Sequence, residues 1–167
     1  QTDDITVAAG KTETISQSVD VANPKLWSVD SPNLYWVRTE IIQNGKVVDR
    51  TDSRFGIRYI ATNPNSGFYL NGVHTKLNGV CEHSDLGSLG METYQAAVDR
   101  RIRTLKKYGV NAIRTSHNPV SPEFIEACDR LGMLVFEEAF DQWLYSKNSD
   151  DYHNYFNKAA DGKTVVF

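Results

Sequence analysis

Apolar positions in the first half of the chain recur every second residue. Across residues 34–42, Tyr35, Val37, Thr39 and Ile41 share one face, and their β-branched or aromatic side chains suit a pleated surface. Asn44-Gly45 follows, a pair that accepts the positive φ angles of a tight hairpin turn, and residues 46–53 return as a mostly polar partner strand. A second hairpin is predicted at Asn71-Gly72, between residues 68–70 and 73–77, with Asn78-Gly79-Val80 extending the latter strand. Residues 5–8 and 12–21 read as short strands around Gly10. The half up to about Leu77 is therefore expected to be antiparallel β.

From Met91 the rhythm becomes helix, strand, helix, strand. Val98, Ile102, Leu105 and Tyr108 mark one helical face, and Gly109 ends that helix where a left-handed residue is cheapest. Residues 110–114 form a short apolar strand. Ser121-Pro122 supplies an N-cap and a first-turn proline, and Phe124, Ile125, Cys128 and Leu131 give the next apolar face. Gly132 closes it, and residues 133–136 run apolar without alternation, as expected for a strand buried on both sides. The repeated helix–glycine–strand unit predicts parallel strands joined by right-handed crossovers. Residues 150–160, with Tyr152, Tyr155, Phe156 and Ala159, read as a further helix ended by Asp161-Gly162.

Parallel βα architectures meet ligands at the carboxyl ends of their strands. Three polar clusters fall there: Glu82-His83-Ser84-Asp85, then Arg114-Thr115-Ser116-His117-Asn118-Pro119, then Glu137-Glu138-Ala139-Phe140-Asp141-Gln142-Trp143. Each has an ordinary reading. Arg114 could be a structural ion-pair partner, His83 or His117 a hydrogen-bonded loop residue, and Glu137-Glu138 a helix N-terminal charge pair. Their shared placement at one rim favours a site. His83, Asp85, His117, Glu138 and Asp141 could converge on a metal, but no H-E-x-x-H or Cys/His pattern supports one. Cys81 could pair with His83 or His117 as a nucleophile, although an apolar setting with no basic neighbour predicts a plain buried thiol. Trp143 and Phe140 suit stacking on a sugar's C–H face, while the carboxylates, histidines and Asn118 suit its hydroxyls.

Composition narrows the partners. The 167 residues carry 18 basic and 21 acidic side chains, a net charge of −3, without the basic excess that nucleic-acid binding requires. With 40% apolar residues the chain can build a core, and no run is long enough to span a membrane. No signal-peptide pattern opens it, and two cysteines leave cytoplasmic, periplasmic and secreted locations open.

The run Asn111-Ala-Ile-Arg114-Thr-Ser-His117-Asn-Pro119, followed by Phe124-Ile125, Asp129, Gly132 and Met133-Leu-Val-Phe136, resembles the signature of glycoside hydrolase family 2. That family contains β-galactosidases, β-glucuronidases and β-mannosidases. One position departs: Asn118 stands where the common motif has tyrosine, which bears on substrate preference. Leu26-Trp27-Ser-Val-Asp-Ser-Pro32-Asn-Leu-Tyr35 and Phe55-Gly56-Ile57-Arg58 look like the immunoglobulin-like domain ahead of the family's barrel. Residues 68–80 look like the hairpin leading into the first barrel strand.

The resemblance implies a mixed fold: a partial immunoglobulin-like antiparallel β-sandwich over residues 1–61, then the first βα units of a (β/α)8 TIM barrel over residues 62–167. It implies a retaining hydrolase with an acid/base glutamate after the fourth strand and a nucleophile after the seventh, ~5 Å apart. Neither falls in this chain, which holds about three of the eight strands. The expectation is a fragment of a larger enzyme, cut in both domains and inactive alone. The substrate-binding residues implied are His83, Asp85, Arg114, His117, Asn118, Glu138, Asp141 and Trp143. Arg114 resembles the arginine that keeps the nucleophile ionised. Gln142 and Trp143 do not supply the acid and histidine of the family's magnesium site, so no metal and no cofactor is predicted.

The expected partner is a β-glycoside carbohydrate, with self-association through the open barrel edge as a further possibility and no nucleic acid or membrane. Two other readings compete. One is a non-catalytic carbohydrate-binding or interaction module derived from the family. The other is a structural β-sandwich with a helical appendage, which requires the three polar clusters to lie far apart.

Overall fold

The computed structural model describes residues 4–139, 141 and 145–150. β1 (Tyr35–Gln43) and β2 (Lys46–Phe55) form an antiparallel hairpin, with φ of 50° at Asn44 and 74° at Gly45. That positive pair is what a two-residue turn matching the strand twist requires. A second antiparallel sheet has the order β3 (Ile60–Asn63), β4 (Gly67–Leu70), β5 (Val73–His74), and it turns at Asn71 and Gly72 in the same left-handed way. β3 carries the chain across residues 61 and 62, and its four residues are too few to announce a strand by alternation.

Three strands then run parallel: β6 (Gly79–Glu82), β7 (Ala112–Thr115) and β8 (Leu134–Phe136). α1 (Gln95–Lys107) joins the first pair and α2 (Pro122–Leu131) the second. Both helices end as predicted. Val110 N–H donates to Leu105 O and Met133 N–H to Cys128 O, with Gly109 and Gly132 left-handed between them. Ser121 Oγ accepts the Phe124 N–H at 3.3 Å and Pro122 fills the first turn.

The helices cover one face of the parallel sheet. Val98, Ile102, Ile113, Phe124, Ala127, Cys128 and Met133 make a continuous buried cluster. Burial pushes the Cys128 thiol up to about 12. A second cluster, Trp27, Leu70 and Leu134, joins the loop before β1 to the antiparallel and parallel sheets. Trp27 Nε1 donates to Asp129 O at 2.7 Å, and Lys106 Nζ donates to Val29 O at 2.7 Å and Gly132 O at 2.9 Å. A side chain at Gly132 would place its Cβ 2.2 Å from Val29 O, so only glycine lets these backbones approach.

Several expectations are corrected. Residues 5–8 and 12–21 form no strand: a strand exists through its ladder, and nothing among the described residues pairs with them. The strand expected over 73–77 and its extension are two elements in different sheets. Asn111 separates them, its Oδ1 accepting the Asn78 N–H and its Nδ2 donating to Lys76 O. Tyr108 lies past the end of α1 and is 80% exposed, so the apolar face stops at Leu105. Phe136, expected to be buried, is 70% exposed because no element among the described residues covers its face of the sheet. The helix expected at 150–160 lies outside the described residues beyond Asp150. No helix among the described residues is long and apolar enough to cross a membrane.

Candidate functional site

Parallel register decides which side chains share a face. Gly79, Ala112 and Leu134 align across the sheet, so Val80, Ile113 and Val135 form the next row and turn toward the helices. Cys81, Arg114 and Phe136 then fall on the opposite, open face. One residue further, Glu82 aligns with Thr115, and the three chains leave the sheet at the same rim. His83, His117 and Glu138 lie just beyond those strand ends. This common rim is incompatible with the reading that scattered the polar clusters.

Arg114, His117 and Glu138 form one compact cluster. Arg114 Nε donates to Glu138 Oε1 at 2.6 Å, and Glu138 Oε2 lies 2.7 Å from His117 Nδ1. The Glu138 N–H donates to Thr115 Oγ1 at 2.9 Å, and Thr115 is buried. Arg114 first, and His117 second, hold the Glu138 carboxyl below the usual carboxylate range, so it is an anion at neutral pH. Arg114 is thus a structural ion-pair partner as well as a rim cation. The Ser116–His117 peptide is cis.

The remaining predicted residues are more dispersed. His83 is exposed and meets His117 edge to face, with ring centroids 6.4 Å apart. Asp85 is exposed, and its Oδ1 accepts the Gly87 N–H at 3.1 Å, which shapes the turn after β6. His83 and Asp85 line a depression with Arg101, Val120 and Phe124, while Arg114, His117, Glu138 and Asp141 line a second, more polar one. Asp141 pairs with Lys147, whose charge keeps its carboxyl low. Asn118 is exposed and lines neither depression. Trp143 and Phe140 lie outside the described residues.

Cys81 is corrected: the thiol is exposed, and Arg114 Nη1 donates to its Sγ at 3.6 Å. Arg114 chiefly, then the Ser116 hydroxyl, draws it below the ordinary thiol range. The basic neighbour is distant in sequence and appears only once Gly79 is aligned with Ala112. Two supporting residues also escaped the sequence reading. Thr115 positions Glu138, and Arg101 Nη1 pairs with Glu82 at 2.9 Å on the helix side of the sheet, away from the Arg114 cluster. Among the described residues no three histidine, cysteine or acidic groups are arranged to hold a metal ion.

Comparison with known proteins matches this architecture. A model of glycosyl hydrolases family 2 matches residues 1–58, and a model of the TIM barrel domain of glycosyl hydrolases family 2 matches residues 62–165. A beta-galactosidase of Bacteroides ovatus, BoGH2A, is 44% identical over 150 residues, covering 90% of this chain and 18% of its own length. A putative beta-glucuronidase of Formosa agariphila is 43% identical over 137 residues, covering 82% of this chain and 13% of its own. Among solved structures, a glycosyl hydrolase family 2 member from Bacteroides cellulosilyticus superposes with a TM-score of 0.77 at 47% identity, over 83% of this chain and 18% of that one. A beta-glycosidase from Bacteroides vulgatus gives 0.78 at 42% identity with the same coverage. The chain therefore spans less than a fifth of the length of these relatives.

Proposed function

Because the chain belongs to glycosyl hydrolase family 2, we propose that its 167 residues are the part of a retaining β-glycosidase that joins a partial immunoglobulin-like domain, residues 1–61, to the opening strands of the catalytic barrel, residues 62–167. In this reading the rim of β6, β7 and β8 is one wall of the sugar subsite, built from His83, Asp85, Arg114, His117, Asn118, Glu138, Asp141 and Trp143. The acid/base and nucleophile glutamates belong to later strands, so the chain binds sugar without cleaving it. β-Galactosides or related β-glycosides are the proposed substrates.

The observation that supports this most is the Arg114–Glu138–His117 cluster, standing where three parallel strands release their chains at one rim. Arg114 keeps Nη1 and Nη2 free of the Glu138 contact, so it can also hold a second carboxylate ionised. That is what a glycosidase nucleophile requires at neutral pH.

The 167-residue chain should release no nitrophenol from nitrophenyl β-galactoside. Turnover by this chain would overturn the assignment of both catalytic carboxylates to other strands. In a longer enzyme carrying this segment, Arg114→Ala should lower kcat/KM for the galactoside at least ~100-fold, the scale seen when a preorganised charge contact is removed. Unchanged kcat/KM would remove Arg114 from the site.

A further inference from the structure

Within that subsite, one atom is asked to serve two partners. His117 Nδ1 lies 2.7 Å from Glu138 Oε2 and 3.1 Å from Arg114 Nη2. A guanidinium only donates and an ionised carboxylate only accepts, so Nδ1 cannot satisfy both. If it carried a lone pair toward Arg114, that lone pair would also face a carboxylate oxygen at 2.7 Å with no proton between them. If it carries a proton toward Glu138, the bond is short, charge-assisted and well placed, and the longer Arg114 approach is a contact without a hydrogen bond. The second arrangement wins. Glu138 is already fixed from two other directions, by Arg114 Nε at 2.6 Å and by Thr115 Oγ1 on its own N–H at 2.9 Å. It is therefore the rigid member, and the imidazole conforms to it.

We propose that Glu138 is a positioning residue: Arg114 and His117 each hold one of its oxygens, and it fixes the neutral His117 ring with the proton on Nδ1. Nε2, on the far side of the ring, is then a lone-pair acceptor with no partner among the described residues, on a side chain that lines the open depression beside Asp141. Such an atom takes a proton from a sugar hydroxyl. It offers nothing to a carboxylate. The ligand part of this inference rests on the reading above and deepens it: at this position the subsite accepts a hydrogen bond from a hydroxyl of the glycone. The tautomer itself rests on the geometry alone.

Long-range ¹H–¹⁵N correlation spectra of the ¹⁵N-labelled 167-residue chain test this directly. They are taken about two pH units above the ordinary histidine value of about 6.5, with His117 assigned by the resonances lost in His117→Asn. A protonated Nδ1 and an unprotonated Nε2 are expected. A ring protonated at Nε2, as the other tautomer or as the cation, overturns the proposal. In Glu138→Ala the ring should revert to the Nε2-protonated form that dominates free imidazole, while the Trp27 indole N–H resonance, which reports the fold, stays in place. An unchanged Nδ1-protonated ring in that variant overturns the positioning role. Should Glu138→Ala lose the Trp27 signal, Glu138→Gln decides: its one side-chain oxygen is claimed by Arg114 Nε and its NH2 then donates to Nδ1, so the Nε2-protonated ring is expected, and an unchanged Nδ1-protonated ring overturns the proposal. A sugar titration that leaves the spectrum unmoved while the tautomer is as expected counts against the proposed function and not against Glu138's role.

Discussion

The β1–β2 hairpin and the parallel β6–β7–β8 unit are held in opposite ways. No residue of β1 or β2 is buried, and Trp36, Val37, Ile41 and Val48 stand about half exposed or more. In the parallel unit Ile102, Ile113 and Ala127 are fully buried, and two helices are locked by capped ends and a shared core. A two-stranded ribbon is marginal without a layer beneath it, whereas a sheet backed by helices is independently stable. The polar rim sits on the second kind of support. Arg114 and Glu138 can hold a 2.6 Å contact because the strands beneath them cannot slip. The loop bearing Trp27 is the main tie between the two regions, so the largest test is to cut it.

Trp27→Ala removes a side chain that is 2% exposed, a hydrogen bond to Asp129 O, and the face beneath the Arg58 guanidinium, 4.6 Å from the ring centroid. Truncation of a buried aromatic costs about 3–5 kcal/mol. Urea denaturation followed by far-ultraviolet circular dichroism should show that loss as an earlier transition. An unchanged transition would mean that the two regions fold independently and that the comparison has no coupling term.

Ile113→Ala, at a position with no solvent exposure, should cost about 2–5 kcal/mol. It tests the support beneath the rim, because Arg114 follows it directly in β7. The same urea titration gives the stability change, and the His117 ring resonances report whether the cluster loosens with it. Lost stability with an undisturbed ring would mean that the cluster is self-supporting.

Much of this division was readable in the chain. Asn-Gly at two turns, Gly109 and Gly132 after apolar helical faces, and Ser121-Pro122 are local signals, and each acts within a few residues of itself. The shared rim followed from strand direction alone. What escaped was non-local. The strands expected at 5–8 and 12–21 had the composition but no partner to pair with. Cys81 and Arg114 meet only through strand register, and Thr115 supports Glu138 from 23 positions away in sequence. Asn111 also hid its role, because two backbone groups 33 and 35 residues earlier are its partners.

A smaller effect separates electrostatics from packing in the stable region. Asp99 on α1 accepts from Arg130 at 2.6 Å, from Gln95 at 2.8 Å and from Arg103 at 3.2 Å, tying α1 to α2. Arg130 is the main reason its carboxyl lies below the usual range. A carboxyl lowered by folding stabilises the native state above the unfolded value of about 3.9, and that contribution fades as pH falls through the folded value. Asp99→Asn should therefore lower the urea midpoint at pH 7, by at most about 1 kcal/mol for so polar a contact. The difference from wild type should shrink as pH falls below the unfolded value and through the lowered folded one. A gap that persists in acid would show that Asp99 acts through packing.

The smallest effect belongs to the hairpin, and its size is the point. Val37 is 47% exposed, so Val37→Ala removes two methyl groups that are already half in water. A change within about 0.5 kcal/mol is expected, as for surface substitutions generally. The measurement is a urea titration repeated across a hundredfold range of protein concentration. A cost above about 1.5 kcal/mol that grows with concentration would mean that a second molecule covers this face in solution, and then the hairpin would not be the solitary ribbon that sets it apart from the parallel unit. A small, concentration-independent change leaves burial, and not ladder length, as the quantity that separates the two regions: β1 and β2 have the longer ladders, yet the short strands β6 to β8 are the ones that hold the site.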